Sequence, residues 1–315
     1  MIYTWNNGRL ELNPVRKVIQ KAHNGKLHSY KGRYYNQTVT PNHRMLIYKH
    51  NSDETTIKRS EEIFDAKTAH ALPVAFKDSN IVNNDLTNEE IALAAMVYTD
   101  GNFDYRNGNL HKISIYKSPK RFGNKEIVEI FDKLGIKYSK LNADGQFGPV
   151  NKYVVYSDDA KRIEELVGSK DKIASKFMTM SMEQANLFLK TWASFDGDED
   201  KMLCQYDNDI IRDQLQQIAI LAGHCSYLSE AKLDSGNTTK YVKVRKFDRI
   251  YPTDRTEIDY NGIVWCPNVE NGTAVFRKNG SVYISGQTQA PFTNVTLDWT
   301  VPEDLKDMPA IVGGK

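Results

Sequence analysis

Two carboxylates share a context that suits them to chemistry. Asp100 closes Leu93-Ala94-Ala95-Met96-Val97-Tyr98-Thr99-Asp100-Gly101, and Asp196 closes Leu189-Lys190-Thr191-Trp192-Ala193-Ser194-Phe195-Asp196-Gly197. In each, an apolar stretch of helical character runs into an acid followed by glycine, the residue that most readily takes the positive φ ending a helix. A carboxylate is poorly placed there, because the helix dipole puts partial negative charge at the C-terminus. Ala94 and Ala95 are small enough to let a second helix approach closely. If the two motif helices pack side by side, Asp100 and Asp196 become neighbouring like charges that a divalent cation would balance. The chemistry implied is binding of Mg2+, or another divalent cation, and activation of water for phosphodiester hydrolysis. One such motif alone would read as a buried helix ending at an Asp-Gly turn; two copies favour the chemical reading.

The elements that must position these acids form a weak internal repeat. Thr87-Asn88-Glu89-Glu90 and Ser181-Met182-Glu183-Gln184 both fit the capping box, a hydroxyl at the helix start with Glu or Gln three residues on. The caps stand 13 and 15 residues before their acids. After each acid comes a polar, strand-like stretch, then a helix ending at Leu134-Gly135 or Ala222-Gly223, 35 and 27 residues past the acid. Around this α/β middle the sequence reads as β structure. Arg33-Tyr34-Tyr35-Asn36-Gln37-Thr38-Val39 mixes aromatic and β-branched residues between turn residues, and Tyr241-Val242-Lys243-Val244-Arg245 and Ser281-Val282-Tyr283-Ile284 resemble it. An α+β chain is expected, with one domain inserted within another.

Composition narrows the setting. The 315 residues are 40% hydrophobic and 26% charged, with 42 Lys plus Arg against 40 Asp plus Glu, so the net charge of +2 excludes a general polycation. No apolar run approaches the roughly 20 residues of a membrane span, and the start has no signal-peptide pattern. A cytoplasmic protein with no membrane partner is therefore expected. Cys204, Cys225 and Cys266 show neither disulfide nor zinc-site spacing. The charge is unevenly placed: residues 105–140 carry nine Lys or Arg against three acids, a net of +6. Phosphate is the natural partner of such a patch. Arg106, His111, Lys112, Lys117, Lys120 and Arg121 are the candidate DNA-binding residues, and alternation across residues 111–116 would turn one set of side chains toward a groove. A solvated basic face is the bland alternative. A second run, Lys240, Lys243, Arg245, Lys246 and Arg249, either extends this surface or supplies a catalytic lysine.

The repeated motif resembles the LAGLIDADG (DOD-type) homing endonucleases in their two-repeat monomeric form, through Leu93, Ala94, Asp100 and Gly101 in the first copy and Leu189, Asp196 and Gly197 in the second. The resemblance spans about residues 77–240. It implies an αββαββα unit twice over, related by a pseudo-two-fold axis, with the motif helices at a central seam and two sheets forming a saddle for double-stranded DNA. It also implies that Asp100 and Asp196 are the catalytic, Mg2+-binding pair of a site-specific nuclease cutting both strands.

The flanks, residues 1–76 and 241–287, look like the two parts of an all-β intein splicing (Hint) domain interrupted by the nuclease. In that family Thr40 and His43 would polarise the upstream scissile amide, Gln287 would cyclise in place of the usual Asn, and Thr288 would be the downstream acyl acceptor. Cys266 stands where an Asp is usual, either as a thiolate participant or as a small buried residue. Gly286 replaces a frequent histidine. The first block, with its Cys or Ser, would come from a separately encoded N-terminal intein fragment. Residues 288–315 resemble a stretch of anaerobic ribonucleoside-triphosphate reductase and would be a host-protein remnant. Two other readings stay open: a catalytically decayed, sequence-specific DNA-binding protein, and a protein-processing module cleaving at Gln287-Thr288.

Overall fold

A computed structural model of the chain describes residues 1–120, 122–145, 148–199, 202–232, 236 and 238–287. The β part begins with β1 (Ile2–Asn6), β2 (Arg9–Asn13), β3 (Lys17–Gly32), β4 (Tyr35–Val39), β5 (Arg44–Tyr48), β6 (Thr55–Arg59), a single helical turn α1 (Ser60–Ile63), β7 (Leu72–Pro73) and β8 (Asp78–Ser79). The first repeat follows: α2 (Asn88–Asp100), β9 (Gly101–Arg106), β10 (Asn109–Lys117), α3 (Asn124–Leu134), β11 (Tyr138–Gly145), β12 (Gly148–Tyr156) and α4 (Ser157–Val167). A linker with a 3-10 turn, Ser175–Thr179, leads to the second: α5 (Met182–Phe195), β13 (Gly197–Asp198), β14 (Leu203–Gln205), α6 (Asp209–Leu221), β15 (Cys225–Lys232) and β16 (Thr238–Arg245). The chain closes with β17 (Arg249–Ile250), β18 (Asp254–Asn268), β19 (Thr273–Lys278) and β20 (Ser281–Gly286).

Local sequence accounts for much of this. Asn7-Gly8, Asn107-Gly108 and Asn279-Gly280 all have positive φ and join β1 to β2, β9 to β10 and β19 to β20, the two-residue turn that suits the twist of a hairpin. Ile91 through Tyr98 of α2 are all buried, so this helix is apolar all round and has to be enclosed.

The first repeat is αββαββα, as the family resemblance implies. The second is αββαββ: after β16 the chain enters β17, and no third helix follows among the described residues. The position of α4 has no counterpart because the chain returns there to the β part. Thr238–Arg245 is one strand passing through residue 240, and Val242 and Val244 belong to the core shared with the helices.

Four strands of the first repeat form one sheet, in the order β11-β12-β10-β9. The second repeat's sheet is longer, β13-β14-β16-β15-β20-β19, because the β19–β20 hairpin attaches to the edge of β15. Tyr227 pairs with Ser281 there, and Leu228 N donates to Gly280 O at 3.0 Å. Elsewhere in the β part, β3 and β18 pair in unbroken antiparallel register from Lys17↔Asn268 to Lys31↔Asp254. β7 and β17 pair side by side, so the chain leaves and re-enters the β part at one point.

Candidate functional site

The two motif helices pack against each other, and Tyr98 and Trp192 stack across the seam with ring centroids 6.0 Å apart. Both capping boxes form: Glu90 N donates to Thr87 Oγ1 at 3.2 Å and Gln184 N to Ser181 Oγ at 3.2 Å. Asp100 is the last residue of α2, and Asp196 caps α5 with its N–H on Trp192 O at 2.8 Å. The glycines that follow serve a different purpose from the one the sequence suggests. Gly101 has a φ of −79°, an ordinary extended value. A Cβ there would lie 2.4 Å from Val97 O, and one at Gly197 would lie 1.9 Å from Leu203 O. Absence of a side chain, rather than left-handed backbone, is what both positions require.

Two lysines face the acids. Lys117, at the inner end of β10, is 4% exposed and donates from Nζ to Asp100 Oδ2 at 2.6 Å and to Phe195 O at 3.0 Å, with its ammonium 4.2 Å from the Phe195 ring centroid. Lys170, in the linker, donates to Gly101 O at 2.6 Å and Thr99 O at 3.3 Å. Each ammonium therefore meets the carbonyl end of a motif helix, where positive charge is favourable. Burial is the main cause that raises the Asp196 pKa to about 6; Asp100 adds to the rise, and Lys117 and Lys170 oppose it. The same burial lowers the Lys170 pKa against the pull of both acids.

The register explains why the two halves differ. Gly101 pairs with Ile115, two residues before Lys117, and Gly197 pairs with Cys204, two residues before Tyr206. Tyr206 thus holds the position of Lys117 and packs edge-on against Trp192. The second ammonium comes from the linker instead. Neither lysine belongs to the run from Lys240 to Arg249. There Lys240 reaches Asp209 at 3.2 Å, and Arg249 is bound by Asp53 and Asp248.

The donors at the seam, two carboxylates and several helix-end carbonyls, are all oxygens, which suits a hard cation. No group of three or more His, Cys, Asp or Glu that could hold a metal ion occurs among the described residues. This set fits Mg2+ in the manner usual for that ion, with one or two carboxylates and the remainder from water and substrate phosphate.

The candidate DNA-binding residues separate. Arg106 and Lys120 are exposed. Lys112 lies on the sheet face turned away from the helices and pairs with Asp104 at 3.3 Å. His111 sits at the β-bulge where the β9–β10 register shifts, its ring edge-on to Tyr156 at 5.9 Å. Lys117 faces the helices, not the outer surface, and joins the acids. Arg121 lies outside the described residues. Sequence reasoning missed Lys152, which lies opposite Tyr116 on the outer face with its ammonium 5.1 Å from that ring.

In the β part, Thr40 Oγ1 donates to Asn42 Oδ1 at 2.7 Å, and His43 N closes the turn on Thr40 O at 2.9 Å. His43 is buried, which pushes its pKa down to about 4, and its Nε2 lies 2.8 Å from Ser285 Oγ. Gln37 Nε2 donates to the same hydroxyl at 2.6 Å. Neither Ser285 nor Gln37 was singled out by the sequence. Gln287 is buried with its Nε2 on Val269 O at 3.2 Å. A side chain at Gly286 would meet Arg44 O at 2.4 Å, so this position requires glycine for lack of room. Cys266 is buried at the end of β18, its Sγ 3.6 Å from Pro267 O. Thr288 and the rest of 288–315 lie outside the described residues.

Among the described residues no helix is long and apolar enough to cross a membrane. No family model matches the chain, and no curated protein matches it. The solved structures that match include one of mesophilic variants of the homing endonuclease I-DmoI, at 12% identity over 50% of this chain and 89% of that one, with a TM-score of 0.39. Another is I-DmoI in complex with DNA and Ca, at 12% identity over 50% and 83%, TM-score 0.39. A third is I-DmoI in complex with DNA and Mn, at 12% identity over 50% and 89%, TM-score 0.38.

Proposed function

We propose that the chain is a site-specific endonuclease for double-stranded DNA, of the LAGLIDADG homing type, carried within a Hint-like β part. The observation that carries this reading is the convergence of Asp100 and Asp196 at the ends of two packed helices, each end met by a lysine, between two sheets. Asp100 and Asp196 would hold Mg2+. The cation, when bound, supplies Lewis-acid stabilisation of the charge that develops as water attacks phosphorus and the ester oxygen leaves. Lys117 pairs with Asp100 and adds positive charge within a largely buried site, where it acts more strongly than in water. Lys170 holds the C-terminal carbonyls of α2 and so fixes where Asp100 projects. Outer-face residues Arg106, Lys112, Tyr116 and Lys152 bind and orient the duplex.

The test is cleavage, in Mg2+, of a plasmid carrying an uninterrupted anaerobic reductase gene. Wild type linearises it and Asp100→Asn does not; equal activity in the two would overturn the assignment. Specific binding that survives EDTA with no cleavage by wild type would instead establish the decayed, DNA-binding form.

A second activity, cleavage at Gln287-Thr288, is favoured by the burial of His43, Ser285 and Gln287, with His43 Nε2 2.8 Å from Ser285 Oγ. Intact-mass measurement tests it: residues 288–315 are lost from wild type and retained in Gln287→Ala, while an intact wild-type mass counts against it.

A further inference from the structure

Ser285 Oγ stands between two nitrogens, Gln37 Nε2 at 2.6 Å and His43 Nε2 at 2.8 Å, and all three side chains are buried. They come from three places in the chain: Gln37 from β4, His43 from the turn before β5, and Ser285 from β20, two residues ahead of Gln287. The backbone of His43 is fixed on both sides, its N–H on Thr40 O at 2.9 Å and its carbonyl accepting from Ser60 N at 2.8 Å. What the backbone leaves open is which ring nitrogen carries the proton, and hydrogen bonding to the ring decides that.

The protons can be placed by starting from the groups that have one choice. A thioether sulfur has no proton to give. Gln37 Nε2 lies 3.6 Å from Met45 Sδ, so the amide nitrogen belongs on that side and the amide oxygen on the side of Tyr35, whose hydroxyl donates to it. The reverse amide would set oxygen against sulfur, two acceptors with no proton between them. With its nitrogen so placed, Gln37 donates to Ser285 Oγ, and the serine proton has to go elsewhere. Among the described residues the other hydrogen-bond partner of Ser285 Oγ is His43 Nε2. Were Nε2 protonated instead, the serine would receive two hydrogen bonds and bury its own proton without an acceptor, which native interiors avoid. Burial also keeps the ring uncharged, with its pKa pushed down to about 4, so there is one ring proton to place.

We infer that Tyr35, Gln37 and Ser285 form a one-way hydrogen-bond chain that holds His43 in the tautomer with its proton on Nδ1, and that Ser285 is thereby a positioning residue for cleavage at Gln287-Thr288. The role in cleavage rests on the reading of that bond as a cleavage site; the tautomer does not. Nε2, committed to Ser285, is withdrawn from proton transfer, and Nδ1 is left as a neutral donor of the kind that polarises a carbonyl or an amide. Ser285 and Gln287 stand two residues apart at the end of β20. The segment that carries the bond therefore also sets the ring, and a displacement of that segment releases Nε2.

The experiment is nitrogen-15 NMR of the full chain labelled at histidine, at neutral pH, with the His43 resonances assigned by their loss in His43→Gln. Protonated and bare ring nitrogens resonate far apart, and couplings to the ring carbon protons distinguish Nδ1 from Nε2. Wild type shows a protonated Nδ1 and a bare Nε2. Ser285→Ala removes the donor to Nε2, and both nitrogens move toward the averaged shifts of exchanging tautomers. The wild-type spectrum decides the tautomer without any variant: a protonated Nε2, or a ring protonated on both nitrogens, overturns the chain. Fixed wild-type shifts in Ser285→Ala overturn the part given to Ser285. Intact mass, followed over time, reads the function. Ser285→Ala slows the loss of residues 288–315 about tenfold, and an unchanged rate with a changed tautomer overturns the positioning role. Retention of those residues by wild type with Nδ1 protonated removes the cleavage reading and keeps the hydrogen-bond chain; their loss from wild type with Nε2 protonated does the reverse.

Discussion

The two repeats start from the same pattern and reach different solutions. In the first, α2 is buried from Ile91 to Tyr98, and Tyr98 Oη donates to Val167 O of α4 at 2.5 Å. In the second, the equivalent face of α5 carries Lys190, Thr191 and Ser194 and lines an open cleft of about 310 Å³ shared with Glu126, Glu129 and Lys133 of α3. On the opposite side of the seam the linker occupies the corresponding space: Phe177 packs edge-on to Tyr98, and Gln214 of α6 exchanges two 2.7 Å hydrogen bonds with the Ile173 backbone. β10 supplies the lysine that meets Asp100 and the end of α5, and the same linker supplies the lysine that meets the end of α2. A repeat can therefore lose a helix and a charged side chain and keep its geometry, provided neighbouring segments fill both roles.

The largest expected effect bears on what fills the seam. Trp192 takes the position of Met96 and is fully buried. Trp192→Ala is expected to destabilise the chain by about 4 kcal/mol. The measurement is denaturant unfolding; a smaller effect than that of Met96→Ala would show that the second helix is the less critical one. Next is the asymmetry of the lysines. Lys117→Met should slow plasmid cleavage about a hundredfold, and Tyr206→Lys in a Lys170→Met background should recover part of what that loss removes. Rates indifferent to Lys117 would break the comparison.

Third comes the ionisation of the second acid. The Asp196 pKa is raised to about 6 in the folded chain, so its protonated form is the one that folding favours. That contribution is complete below the unfolded pKa near 4 and is lost as pH rises through about 6. Asp196→Asn should match wild type near pH 4 and exceed it at pH 8, by about 1–2 kcal/mol after allowance for the partial exposure of the carboxylate. Melting temperatures of the two proteins across this range check the sign. The smallest effect is Thr191→Ala, which restores the alanine of the first copy and should stabilise by about 0.5 kcal/mol through helix propensity alone.

What the sequence could reveal follows from what acts locally. Helix caps at Thr87 and Ser181, the Asn-Gly turns and the repeated acids depend on neighbouring residues, and all are legible. Lys117 looked like one more member of a basic run, because only the strand register turns it inward. Lys170 carried no signal, since a lysine in a polar linker looks like any other. Gly101 and Gly197 were legible as necessary, but for the wrong reason: the steric contact is with carbonyls at Val97 and Leu203, and the second of these is known only once β14 is placed. The missing seventh element of the second repeat followed from the return of the chain to β17, a pairing with β7 across most of the sequence.

That pairing has a consequence for assembly. Leu72-Pro73 and Arg249-Ile250 form the neck of a single very long loop, with Val74 N on Asp248 O at 2.9 Å as its latch. Loop-closure entropy grows only with the logarithm of length, about 0.6 kcal/mol per doubling, so moderate trimming or lengthening of the enclosed unit changes the neck little. The unit between could be exchanged or trimmed at modest thermodynamic expense. The constraint lies elsewhere, at the edge of β20: cutting out the repeats would strip β15 from it and leave an open strand, which invites pairing between chains. A shortened β part would therefore be limited by its solubility rather than by its fold.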